Sequence, residues 1–272
     1  MFVARKFIIM KHFNRTFFSL LFVFLLVISC KKDDNTSSVE DLKAENRKAL
    51  GVSAEDILSD DTYSSLSVEL VYPEFSKPTD EAIANFRSFL EERLNKPGGI
   101  TFTETQITSP TGTPYDIDEI KTIEDENRTL YTEGDDISVY IFFANGNSTN
   151  DTSTSVTLGT AYLNTSIVIY ERTLQDFAAN NPTINLIDLE TVTLEHEFGH
   201  ILGLVNIQGD DIHSDHEDPA HGKHCVVEEC LMYFESNTNR PAAIVEYFSN
   251  QRRSVSGLDP LCIADLQAKG GK

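Results

Sequence analysis

Residues 195–204 read Glu195-His196-Glu197-Phe198-Gly199-His200-Ile201-Leu202-Gly203-Leu204, an H-E-x-x-H sequence inside an otherwise apolar run. Side chains four residues apart on an α-helix lie one above the other, so His196 and His200 present two imidazoles from one face. Leu186, Leu189, Leu194, Phe198, Ile201 and Leu202 extend a helical apolar spacing through the same stretch. A helix of this kind belongs in a core, where two histidines without a ligand would be poorly satisfied. Neutral imidazole suits Zn²⁺, and two such nitrogens leave room for a third protein ligand and a water. Glu197 lies beside that face, where a carboxylate takes a proton from water instead of ligating the ion. The expected site therefore has His196 and His200 as metal ligands and Glu197 as the catalytic base.

Strand and helix patterns alternate around this helix. Residues 67–72 alternate like a strand, and Thr79 caps an amphipathic helix that runs to Asn95 with Ile83, Phe86, Phe89, Leu90 and Leu94 on one face. Residues 100–107, 137–143, 157–163 and 166–170 read as strands, and 174–179 opens a helix that Pro182 closes. Residues 39–50 have helix-forming composition ending at Gly51, whereas 53–65 read as loop. Near the C-terminus 241–249 and 259–268 read as helices, the second capped by Asp259. This order predicts an α/β (α+β) fold, a mixed sheet over the site helix with a small, mostly helical C-terminal lobe. The stretch Gly159-Thr160-Ala161-Tyr162 has two readings, a strand with a Gly bulge or the sheet edge above the metal. At such an edge an extended peptide adds as an extra strand.

The first residues carry a different message. Arg5, Lys6, Lys11 and Arg15 precede an apolar run at 17–28 that is short for a membrane span. Val27-Ile28-Ser29-Cys30 resembles a bacterial lipobox, so 1–29 is read as a lipoprotein signal peptide and Cys30 as the palmitate-bearing lipid anchor; a single-pass anchor is the alternative. Residues 30–38 form a lipidated tether. Within it Lys31-Lys32-Asp33-Asp34 resembles the acidic tetrad that sends some lipoproteins to the outer face of the Gram-negative outer membrane. The expected location is thus the cell envelope, with the membrane contacted through the N-terminal lipid and 39–272 as one domain. The formal net charge is −21, and the putting aside of four basic residues with the signal makes it more negative. That balance excludes nucleic acid as an expected partner, because phosphate binding needs clustered Lys and Arg.

The sequence beyond His200 extends the pattern to H-E-x-x-H-x-x-G, the beginning of the metzincin zinc signature H-E-x-x-H-x-x-G-x-x-H. There the glycine breaks the helix so that a third His reaches the metal. This chain matches through Gly203 but has Asn206 where that His is expected, and an Asn oxygen is a poor zinc ligand. Downstream, His224-Cys225-Val226-Val227-Glu228-Glu229-Cys230-Leu231-Met232 resembles, position by position, the remainder of the archaemetzincin pattern: His, Cys, four residues, Cys, any residue, Met. The resemblance covers 196–232. It implies a metzincin-type zinc metalloprotease in which extra residues separate the helix from the third ligand, His224, and in which Met232 underlies the zinc histidines. The later C-x-x-C with which that family holds a second, structural zinc is absent, since only Cys262 follows, so one catalytic Zn²⁺ is expected.

The insert 205–223 carries His213, Asp215, His216, Glu217, Asp218 and His221. It reads either as a solvated acidic loop or as a source of ligands. His216 or His221 are alternatives to His224, Asn206 acting through water is a further one, and the carboxylates are where a Ca²⁺ ion would bind. In an oxidising compartment Cys225 and Cys230 are close enough to form a disulfide, leaving Cys262 over. Tyr233 is an oxyanion donor or an interfacial tyrosine. The reading as a whole is hydrolysis of protein or peptide substrates. The alternative is a surface binding module that keeps the scaffold without turnover.

Overall fold

The run at 137–143 lacks the usual alternation because both of its faces are covered. In the computed structural model, which describes residues 39–234, 240–250 and 257–272, this run is β3 (Asp136–Phe143). It lies in a mixed sheet with β1 (Ser65–Pro73), β2 (Gly99–Ile107), β4 (Gly159–Leu163) and β5 (Ser166–Ile169), in the order β2-β1-β3-β5-β4. The pairings β1–β2, β1–β3 and β3–β5 are parallel, and β4 pairs antiparallel with β5 at the end of the sheet. Ile137, Val139, Ile141 and Phe143 enter the larger core cluster, while Tyr140 and Phe142 enter a smaller one. The proposed signal peptide, Cys30 and tether lie outside the described residues.

Helices α1 (Val39–Glu45) and α2 (Ala54–Leu58) precede the sheet, and α3 (Asp80–Arg93), α4 (Ile117–Asn127) and α5 (Glu171–Asn180) are interleaved with it. The H-E-x-x-H segment lies on α6 (Leu186–Ile201), followed by α7 (Pro241–Asn250) and α8 (Pro260–Ala268). Thr79 caps α3 by accepting a hydrogen bond from Ala82 N at 3.3 Å, and Ile83, Phe86 and Leu90 are buried on one face. Phe86 meets Phe198 of α6 edge-on at 5.4 Å. Burying either ring stabilises by about 1.5–3 kcal/mol. Every residue of α6 from Leu189 to Ile201 is buried, as expected for the central helix of the core.

Three local expectations are revised. The first helix stops at Glu45 because the Asn46 side chain turns inward, donating to Thr132 Oγ1, Ser138 O and Thr165 Oγ1, each at 3.0 Å. The stretch read as loop at 53–65 contains α2, whose Ile57 and Leu58 are fully buried. Helix α4 has no counterpart in the sequence reading, although Asp116 and Glu119 form a capping box there. Ile120 and Ile123 of α4 cover the smaller core cluster. The C-terminal helices add Ile244, Tyr247, Cys262 and Leu266 to the larger cluster, so they share the main core. Among the described residues no helix is long and apolar enough to cross a membrane.

Candidate metal centre

Two turns of α6 and one loop build the centre. His196 and His200 share a face of the helix, with ring centroids 4.8 Å apart, and the His224 ring lies 5.3 Å from each. One nitrogen of each ring lies within 4.8 Å of the others. His196 Nδ1 is 2.9 Å from Leu231 O. A carbonyl only accepts, so Nδ1 carries the proton and the lone pair is on Nε2. His224 Nδ1 is held in the same sense by His221 O and Gly222 O, each at 3.2 Å. His200 Nδ1 is buried and has no hydrogen-bond partner.

Burial, with the neighbouring His224, lowers the pKa of His196 to about 3. His200 is held well below the ordinary imidazole value by burial, then by His196, His224 and Lys223, and His224 is lowered mainly by burial. Each of these shifts favours the neutral ring, the form that ligates a metal. Three neutral nitrogens on one small volume, two of them in oriented tautomers, fit a zinc ion with an open fourth position.

Glu197 is 2% exposed, and its Oε2 accepts a hydrogen bond of 2.6 Å from Ala161 N of β4. Gly159 makes room for this carboxylate: a Cβ there would come within 2.7 Å of Glu197 Cγ. Of the two readings of this stretch, β4 is the end strand of the sheet, and its register shift falls between Ala161 and Leu163 and not at Gly159. Beneath the helix, a Cβ on Gly199 would lie 2.4 Å from Met232 Sδ, so the thioether packs directly against the backbone between the two histidines. Gly203 takes φ +76° where α6 ends, and its N donates to His200 O at 3.1 Å. The backbone donor at Ala161 and the acceptor at Leu231 have no signature in a sequence, because any residue supplies them.

The other candidate residues lie elsewhere. Asn206 donates through Nδ2 to Glu217 at 3.3 Å. His221 is exposed, bonded to Asp218 at 2.7 Å and stacked on Phe234. His216 is 2% exposed and joins a separate cluster with Cys225, Asp259 and Cys262. Glu217 accepts from Lys223 N at 3.0 Å and Asp218 from Ala220 N at 2.8 Å. Among the insert carboxylates only Asp211 joins a candidate metal group, with His216 and Asp265, and His213, Asp215, Glu217, Asp218 and His221 join none among the described residues. The expected Cys225–Cys230 disulfide is not formed, and Cys225, Cys230 and Cys262 are buried free thiols.

Fold and site together define a mixed α/β protein in which two histidines of an H-E-x-x-H helix meet a third from a loop, with further groups of side chains around His216 of the kind that could hold a metal ion. No protein-family model matches the chain, and no curated protein matches it. Among solved structures the chain is similar to the archaemetzincin of Methanopyrus kandleri, at 15% identity and a TM-score of 0.48, over 76% of this chain and 96% of that one.

Proposed function

We propose that this protein is a zinc-dependent peptidase whose ion is held by His196, His200 and His224. The observation that carries the reading is the convergence of three neutral imidazoles beside a carboxylate aimed by an edge-strand amide. When bound, zinc supplies Lewis acidity that makes water nucleophilic near neutral pH and polarises a carbonyl. Glu197 takes the proton from that water and returns it to the leaving amine. Leu231 O and the carbonyls of His221 and Gly222 fix the tautomers of His196 and His224, so that each presents a lone pair without reorganisation. β4, at the end of the sheet, offers an edge on which an extended protein or peptide substrate adds by backbone hydrogen bonds. The test is cleavage of an unstructured protein such as casein that stops with a zinc chelator and returns with zinc.

The same reading assigns the third ligand. His224→Ala is expected to lower zinc affinity by at least about tenfold, in line with losses at metal sites, while Asn206→Ala keeps the ion. Competition with a chromogenic chelator measures both, and the opposite order would remove His224 from the site. We further propose display on the cell envelope of a Gram-negative bacterium through lipid on Cys30. Cys30→Ser is expected to move the protein from the membrane fraction and to abolish palmitate labelling. A Cys30→Ser protein that stays in the membrane fraction, with no palmitate label in the wild type, would point to a spanning anchor.

A further inference from the structure

The end strand β4 has little backbone to hold it. It is five residues long and pairs with β5 alone. Gly159, Thr160 and Ala161 stand opposite Ile169, Val168 and Ile167, and Leu163 stands opposite Ser166, so Tyr162 is an extra residue with no partner across the ladder. A residue inserted in this way bends its strand and re-aims what lies beside it. Beside it is Ala161, whose amide meets Glu197 Oε2 at 2.6 Å.

Ala161 packs against the larger core cluster, which includes Phe198 of α6, whereas Tyr162 packs against the smaller one, which includes Ile120 and Ile123 of α4. There the Tyr162 hydroxyl donates to Glu124 Oε2 at 2.8 Å. The other oxygen of that carboxylate accepts from Arg128 Nη1 at 2.7 Å and from Ser166 Oγ at 2.8 Å. Arg128 in turn donates through Nη2 to Ser138 O at 2.9 Å and through Nε to Leu130 O at 2.8 Å. Glu124 and Arg128 are both buried, so water does not compete for these bonds and each partner has one place to be. Burial, then the Glu124 charge, pushes the Tyr162 phenol well above its ordinary value, so it keeps the proton that it donates.

We propose that Tyr162 is a positioning residue for Glu197: through its hydroxyl the buried Glu124–Arg128 pair fixes the bulge of β4, and the bulge aims the Ala161 amide at the carboxylate. Gly159 leaves the space that Glu197 fills and Ala161 supplies the bond that holds it, so both parts of its seat move with β4. A tyrosine that only filled the smaller cluster could be phenylalanine without consequence; here the hydroxyl is the part that matters. The role given to Glu197 rests on the peptidase reading, whereas the link from Tyr162 to the Ala161 amide does not.

Tyr162→Phe in the purified full chain tests it, with casein as substrate and amide hydrogen exchange read residue by residue. The ring stays and the hydroxyl goes. Exchange at the Ala161 amide is expected to quicken by up to about tenfold, as loss of one buried hydrogen bond allows. With it kcat falls by up to about 10²-fold through misplacement of the carboxylate, while KM and zinc content hold. Ser166→Ala takes a hydroxyl from the same Glu124 carboxylate but leaves Tyr162 its bond, and it keeps the Ala161 amide protected. Unchanged exchange at Ala161 in Tyr162→Phe, unchanged kcat against a wild type that cleaves casein, or equal effects in the two variants would reduce Tyr162 to a packing residue and overturn the proposal. So would a wild-type Ala161 amide that exchanges as fast as an open-edge amide, whichever variants fold. Quickened exchange at Ala161 in Tyr162→Phe, with no zinc-dependent cleavage by the wild type, would keep the link and overturn the peptidase reading instead.

Discussion

Glu197→Gln retains zinc and lowers kcat for peptide cleavage by about 10²–10⁴-fold, the range expected when a positioned general base is removed. The substitution keeps the volume of a side chain that is 2% exposed, and the Gln oxygen still accepts the Ala161 N–H that Glu197 accepts at 2.6 Å. What is lost is the ability to take a proton. On the proposed reading three other side chains hold the ion, so zinc affinity is expected to change little. Single-turnover cleavage of a peptide library, with metal content measured on the same preparations, checks the claim. Full activity in Glu197→Gln would remove the residue from the chemistry. Bound zinc with no cleavage in either protein would make this a binding module on the same scaffold.

The parts legible in the sequence are those whose physical cause is local. The 3.6-residue period puts His196 and His200 on one face, and the nearly continuous apolar run at 137–143 reads as a strand, which the structure buries on both sides. Helix α4 has its local signal in the capping box of Asp116 and Glu119, but the flanking residues 108–115 offer no periodic pattern to anchor it. The spatial partners were not legible. Gly159-Thr160-Ala161-Tyr162 reads as a strand with a bulge or as a sheet edge over the site; β4 is at the end of the sheet, and what spacing does not disclose is that Gly159 leaves space for the Glu197 side chain, which lies far along the chain. The three thiols were read pairwise by sequence spacing. The structure groups Cys225 with a histidine from the insert, Asp259 and a sulfur from α8, with Cys230 Sγ 3.7 Å from Cys262 Sγ, and no local rule links these positions.

The insert also changes meaning once its contacts are known. Its charges looked like a solvated loop or a calcium site. Instead Asp211 pairs with Lys269 at 2.6 Å, and Asp265 receives both His213 N at 3.1 Å and His216 Nε2 at 3.0 Å. These bonds tie the insert to α8 and the segment after it, on the side of the chain that supplies Cys262. The acidic residues here serve as orienters of histidine and lysine, which is a use that spacing alone does not disclose.

Gly199→Ala decides whether Met232 supports the histidine pair. Alanine is worth about 1 kcal/mol more than glycine inside a helix, so propensity alone predicts stabilisation. Against it, the new Cβ would lie 2.4 Å from Met232 Sδ and 3.1 Å from its methyl, and Met232 is fully buried. Overpacking of that kind costs about 1–3 kcal/mol, and the larger figure is expected because backbone on the other side, at Leu231, is engaged by His196. The net loss is then up to about 2 kcal/mol, or roughly 4–8 °C in Tm for a chain of this size. Met232→Ala alone costs about 2–5 kcal/mol through the cavity it leaves. The double variant places the new methyl in that cavity, so its loss falls short of the sum by at least about 0.5 kcal/mol. Zinc affinity should follow the same order, since displacing Met232 moves the neighbouring carbonyl that sets the His196 tautomer. A Gly199→Ala protein that gains the full helical propensity and binds zinc as tightly as wild type would mean that the thioether does not brace the helix.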